Sequence, residues 1–346
     1  MRRIAVIVAA IVTLAACGGE DAGTTTSLAV ASTTTADTTD PLVLYSGRNE
    51  DFVEPVIESF TESTGIEVEA RYASTSELAA TLLAEGADTP ADVFWAQDPA
   101  FIGGIAKEGL LTELPDDITG LVDERFQDAN GEWIGITGRS RVLVYNTDLV
   151  SDDELPETVW DLVDPEWSGR IGIAPTNGSF VAFVTGMLLA EGEERTREWL
   201  EGIAANDPVI FDGNGPIVDA TVAGDLDVGL VNHYYLLQRI AELGEVPANN
   251  HYFGDGDPGS MVMATGAGIL ASSDQQDASA ELIRHLLSAE SQAHFLSLYE
   301  YPLVEGAGTP EGQPSLEELS VFDISLTDTA DTLEPALNLI SEAGLN

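Results

Sequence analysis

Apolar positions in the chain fall into short runs separated by stretches with helical spacing. Leu42-Val43-Leu44-Tyr45 is a compact apolar run. Phe52, Val53, Val56, Ile57 and Phe60 then recur at three- and four-residue intervals up to Gly65, the mark of one helix face. Residues 66–72 alternate with period two, 76–84 read as a second helix, and 91–95 as a third strand. This β-α-β-α-β order predicts a parallel sheet covered by helices. Residues at the C-terminal ends of such strands line a crevice, which puts 46–50 and 97–99 at a common mouth.

Farther on, residues 132–146 carry strand-like runs, 159–164 a helix and 170–174 a strand. Pro175-Thr176-Asn177-Gly178-Ser179-Phe180 leads into an apolar helix expected to run through Leu189. A strand, a small polar turn and a helix N-terminus can hold an anion through backbone N–H groups, although a simple N-cap at Asn177 or Ser179 uses the same residues. The pattern repeats at 208–211, Asp212-Gly213-Asn214-Gly215 and a helix through Val222. A further strand at 228–231 runs into Asn232-His233-Tyr234-Tyr235. Residues 259–271 read as a Gly-rich strand crossing back. Helices follow at 278–287 and 291–297, then an irregular stretch at 302–314 and a helical tail at 332–343.

The adjacent phenols of Tyr234 and Tyr235 are the candidate chemistry. Phenolate is a hard oxygen donor suited to a hard trivalent cation such as Fe(III), and a bound cation helps it to ionise. Two ordinary strand or helix-start aromatics would give the same sequence.

The start of the chain adds a location. Arg2 and Arg3 precede a short apolar run, and Leu14-Ala15-Ala16-Cys17 ends it, so residues 1–17 read as a secretory signal with a bacterial lipobox. Cys17 is the only cysteine, which leaves no intrachain disulfide and makes it the lipidation candidate. Residues 18–41 are rich in Thr, Ser and Ala and read as a flexible tether. The net charge is −47 and Lys107 is the only lysine, which excludes nucleic acid as a natural partner. The acidic surface reads as an adaptation for solubility in a salty medium.

Taken in order, Leu44-Tyr45-Ser46-Gly47, residues 90–94, Gly138-Arg139-Ser140-Arg141-Val142, Pro175-Thr176-Asn177-Gly178 and Asn232-His233-Tyr234-Tyr235 resemble the bacterial periplasmic ferric-iron-binding proteins. These are the lipoprotein or periplasmic receptors of iron ABC importers. The likeness covers residues 42–345. It implies an α/β, type II periplasmic-binding fold with two lobes, a hinge and a ligand cleft, the lobes falling at 42–140 plus 264–314 and at 141–263 plus 315–346. Tyr234 and Tyr235 match the paired iron ligands. Asn177, Gly178 and Ser179 match the helix-start site of a synergistic anion (carbonate, phosphate or citrate). Asn214 and Asn232 match supporting asparagines, and Arg139 and Arg141 match arginines near the cleft and hinge. The implied protein is a monomer on the outer face of the cytoplasmic membrane, held by a lipid anchor and partnered by an ABC permease.

The chain departs from this pattern at several points. Asn49 stands where relatives carry a histidine, Glu50 where a subgroup has a tyrosine, Gln97 where another has a glutamate, and Phe180 near a third tyrosine. Glu50 is the candidate replacement ligand, although a carboxylate in the first turn of a helix is also favoured by the helix dipole. Of the histidines, His285 reads as a surface residue, His294 as packed, and His233 and His251 are not assigned as ligands. No nucleophile–base motif occurs, so no enzymatic activity is expected. The alternatives are a same-fold receptor for a sulfonate, phosphonate or thiamine-like solute, a secreted hydrolase, or a ligand-free sensor module.

Overall fold

The structure is a computed structural model that describes residues 40–254, 256–319 and 326–345. The expected signal segment 1–17, Cys17 and nearly all of the tether lie outside the described residues.

The first part alternates as the pattern predicts: β1 (Leu42–Ser46), α1 (Glu50–Thr64), β2 (Val68–Tyr72), α2 (Thr75–Glu85), β3 (Val93–Ala96) and α3 (Pro99–Lys107). β1 pairs in parallel with both β2 and β3. The sequence pattern did not predict α3, whose apolar face is diluted by Gly103 and Gly104. Its start is nevertheless well specified. Pro99 occupies the first turn, where an N–H is dispensable, and the Asp98 carboxylate accepts from Ala100 N–H at 3.0 Å.

After the short α4 (Asp116–Thr119) comes β4 (Ile134–Asn146), a strand buried along its whole length. The helix expected at 159–164 is a 3₁₀ segment, Val159–Val163. Pro156 and Pro165 confine it, and the Asp161 side chain accepts from Thr158 N–H at 2.8 Å. β5 (Ile171–Ile173) leads into α5 (Gly178–Ala205), which outruns its expected end at Leu189. It bends at Gly192, where φ is 81° and ψ is 170°, a conformation open to glycine. Beyond the bend the charged run that masks the helix in the sequence still buries Trp199, Leu200 and Ile203.

The remaining elements are β6 (Val209–Ile210), α6 (Asn214–Ala223), β7 (Val228–Asn232), α7 (Tyr234–Leu243), β8 (Ala248–His251), β9 (Val262–Ile269), α8 (Gln276–Leu286), α9 (Ala289–Ser297), β10 (Tyr301–Pro302) and α10 (Thr329–Glu342). Among the described residues ten strands join in the order β2-β1-β3-β9-β4-β7-β5-β6, with β8 and β10 also pairing with β4. β4 holds the two halves together. Residues 134–140 pair antiparallel with β9, and residues 141–146 with β7 and β8.

Each half has its own core. Leu44, Phe60, Phe94, Trp95, Trp133 and Phe295 belong to one cluster, with Leu316 and Leu326 packed on it. Trp167, Phe183, Trp199, Leu230, Leu339 and Ile340 belong to a second, and Val144, Ile217, Val231 and Leu236 to a third under α6 and α7. Each such side chain contributes roughly 1.5–3 kcal/mol of apolar burial. That is the scaffold on which the loops at the strand ends are fixed.

Candidate functional site

β7 ends at Asn232, and His233 is already helical (φ −53°, ψ −39°). Tyr234 and Tyr235 therefore sit in the first turn of α7 rather than on the strand. Their rings stack with centroids 4.4 Å apart and planes 25° from parallel. Both line a cleft of about 670 Å³. Tyr234 is 8% exposed, and burial, then the neighbouring Tyr235, pushes its phenol well above its usual range. Without a cation it is a neutral phenol.

Beneath the pair lies His233, fully buried. Its Nδ1 accepts from Ser140 N–H at 3.2 Å, which leaves Nε2–H to donate to the Tyr299 carbonyl at 2.7 Å. Burial lowers its pKa to about 4, so the ring is neutral and ties β4 to the start of α7. Both ring nitrogens are engaged, which leaves neither free for a metal ion.

On one side of the tyrosines stands Arg141. Its Nη1 donates to Asn232 Oδ1 at 3.0 Å, Ser179 Oγ at 3.2 Å and Asn214 Oδ1 at 3.3 Å. Asn214 Nδ2 in turn donates to Ser179 Oγ at 2.9 Å and Asn177 Oδ1 at 3.2 Å. Asn177 caps α5 by accepting from Ser179 N–H at 3.0 Å. Cap and polar cluster are thus the same residues. Burial lowers Arg141 to about 9, and the group remains charged at neutral pH. Asn177, Gly178, Ser179 and Asn232 line the cleft, and Asn214 supports them from behind.

On the other side, the sequence reading missed two residues. Arg48 lies in the loop after β1, where the crevice rule points, but nothing in its context marks it. Its Nη1 donates to Gln97 Oε1 at 2.8 Å and its Nη2 to Glu300 Oε1 at 2.6 Å. Glu300, 1% exposed, also accepts from Thr137 Oγ1. No motif announces it. Arg139 Nη2 donates to the Gln97 carbonyl, and burial, then Arg48 beside it, lowers its pKa. A Cβ at Gly47 would meet Thr75 Oγ1 at 2.1 Å, so the residue must be glycine for this loop to lie against α2. Thr75 Oγ1 in turn accepts from Gln97 N–H at 3.0 Å.

Several buried guanidinium nitrogens have no partner: Arg48 Nε, Arg139 Nε and Nη1, and Arg141 Nε and Nη2. Buried donors in this state are costly unless a ligand supplies oxygen.

Glu50 is not brought into this arrangement. It is exposed in the first turn of α1 and does not line the cleft. The helix-dipole account describes it better than ligation. Asn49 lines the cleft while remaining exposed, and Phe180 is buried in the second core. His285, expected at the surface, is half-buried edge-on to Phe60 at 5.5 Å. Among the described residues no three His, Cys, Asp or Glu side chains converge as a metal site.

Residues 88–324 match the family model for bacterial extracellular solute-binding proteins. The Fe(3+)-binding periplasmic protein of Serratia marcescens is 33% identical over 88% of this chain and 90% of its own length. The major ferric iron-binding protein of Neisseria meningitidis serogroup B is 29% identical over 92% of this chain and 97% of its own. The structure of iron-bound HitA from Pseudomonas aeruginosa superimposes with a TM-score of 0.83 at 34% identity, covering 88% of this chain and 99% of that one. The chain belongs to the bacterial extracellular solute-binding family, within its group of periplasmic ferric-iron-binding proteins. Its fold is that of the periplasmic binding proteins. These relatives are named as binding proteins, not enzymes.

Proposed function

We propose that this protein binds ferric iron through the phenol oxygens of Tyr234 and Tyr235 and delivers it to an ABC importer. The stacked tyrosine pair, lining a cleft flanked by unpartnered guanidinium nitrogens, is the observation that carries this reading. Two phenolates leave iron positions open. A synergistic oxyanion at Asn177, Gly178 and Ser179, backed by Arg141, Asn214 and Asn232, would fill some of them. The relatives' names support iron as the cargo over the sulfonate, phosphonate or thiamine-like alternative.

In this reading β4 and β9 are the hinge between lobes at 42–140 plus 264–314 and 141–263 plus 315–346. The lipobox reading adds a tether through acylated Cys17 to the outer face of the membrane, where the protein, as a monomer, would meet its permease. The test is a titration of metal-free protein with ferric salt and bicarbonate, followed in the visible. A phenolate-to-iron charge-transfer band lost in Tyr234→Phe and Tyr235→Phe supports the reading. No band in folded protein with any iron source rejects it.

A further inference from the structure

Besides β4, His233 joins the two halves, and it does so directly behind the tyrosine pair. Val231 and Leu236, on either side of His233 in the chain, belong to the core under α6 and α7. Phe295 and Leu303, on either side of Tyr299, belong to the first core. The bond from His233 Nε2–H to the Tyr299 carbonyl, 2.7 Å long, spans the two. The other polar atoms of His233 are engaged as well. Nδ1 accepts from Ser140 N–H at 3.2 Å, the backbone N–H donates to the Ser140 carbonyl at 3.0 Å, and the His233 carbonyl accepts from Asn250 Nδ2 at 2.8 Å. A residue tied at every polar atom has little freedom left, and Tyr234 is the next residue in the chain.

The far end of this bond is specified as closely. Tyr299 lies just past α9 with a φ of 67°, a left-handed conformation that glycine adopts freely and a residue with a Cβ adopts at a cost. That turn brings the Tyr299 carbonyl to His233 and puts the next residue, Glu300, in the cleft wall, where it accepts from Arg48 Nη2 at 2.6 Å. Tyr301, one residue further, lays its ring against the His233 imidazole with centroids 4.7 Å apart. The imidazole in turn stands edge-on to the Tyr234 ring at 5.8 Å. One side chain therefore carries the position of the segment 299–301 to a candidate iron ligand.

Resting on the iron reading above, we propose that His233 is a positioning residue for iron: its bond to the Tyr299 carbonyl fixes the Tyr234 phenol relative to the half that carries Arg48 and Glu300, and so slows the release of bound iron. The imidazole does not touch the metal. Without the bond, the first turn of α7 would follow its own half whenever the halves move. Groups that orient a metal ligand from behind typically change affinity about 10- to 100-fold when they are removed.

The test separates the two ring nitrogens. In His233→Gln the carboxamide nitrogen can take the place of Nε2 and keep the Tyr299 bond. In His233→Asn the carboxamide oxygen can take the place of Nδ1 and keep only the Ser140 bond. Wild type and both variants are loaded with ferric ion and bicarbonate, and decay of the visible band in excess EDTA gives the release rate. Melting curves of the metal-free proteins report stability, which should fall in both variants because each leaves one buried backbone group unpaired. Release should be about tenfold or more faster in His233→Asn and within about threefold of wild type in His233→Gln. Equal release from the folded variants overturns the proposal, and so does release that follows melting temperature rather than the Tyr299 bond. A second measurement needs no variant. Coupling is reciprocal, so loading wild type with gallium(III), which has the ferric charge and no unpaired electrons, should slow exchange of the His233 Nε2–H by about tenfold or more in nitrogen-15 NMR. An unchanged exchange rate in the loaded protein overturns the proposal even where the variants fail to fold. The absence of a band in wild type with every iron source instead sinks the iron reading itself, and this proposal with it.

Discussion

Tyr234 and Tyr235 stack at 4.4 Å although they are consecutive in one helix. Consecutive residues inside a helix diverge by about 100° and do not face one another. The rings meet because they occupy the first turn of α7, directly after a buried strand and over the buried His233 ring. Edge-on contact between His233 and Tyr234 at 5.8 Å supports the inner ring from below.

Replacing either tyrosine by phenylalanine should remove the iron band and weaken ferric binding by about a hundredfold or more. The fold should persist, because the ring and its packing remain and removal of one hydroxyl costs about 1 kcal/mol. Absorbance titration against ferric nitrilotriacetate, alongside circular dichroism, checks both halves of the statement.

Iron affinity should fall with falling pH. Each phenol loses a proton on ligation, and Tyr234 starts from a pKa raised by burial. Protons therefore compete throughout the neutral and mildly acid range. The apparent association constant should drop about tenfold per pH unit for each phenol deprotonated. A constant affinity between pH 5 and pH 8, in a buffer that does not bind iron, would contradict phenolate ligation.

Asn214→Ala should loosen the anion side of the cleft. The substitution deletes an amide that receives Arg141 Nη1 and Asn232 N–H and donates to Ser179 and Asn177. Stability should fall by about 2–3 kcal/mol, because buried polar groups lose partners at both ends. Urea unfolding gives that number, and the dependence of iron affinity on bicarbonate should weaken in the same variant.

Asp98→Asn should stabilise the protein at neutral pH while keeping the cap on α3. Burial raises this carboxyl to about 6, with Arg139 pulling it partly back. A folded pKa above the unfolded one means that its contribution is complete below about 4 and is lost as pH rises through about 6. The amide does not ionise and avoids this loss, on the order of 3 kcal/mol. The melting temperature of the variant relative to wild type should therefore rise between pH 4 and pH 7. An equal difference at both ends would show that Asp98 is not the titrating group.

By itself the sequence determined the alternation of β1, α1, β2, α2 and β3 in a parallel unit, the helix start at Asn177 and the adjacency of the two tyrosines, but not α3 or the true length of α5. These are local properties. Periodicity fixes which face of an element is apolar, and caps and glycines fix where it ends. Only the tertiary structure decided the rest. Arg48 and Glu300 pair across 252 positions, and Arg141 gathers Ser179, Asn214 and Asn232 from three separate elements. Glu50 is exposed and does not line the cleft, although it adjoins cleft residues in the chain. Hydrogen bonds between distant segments leave no period in the sequence. Whether a charged side chain is buried, and with what partner, is set by the elements packed around it.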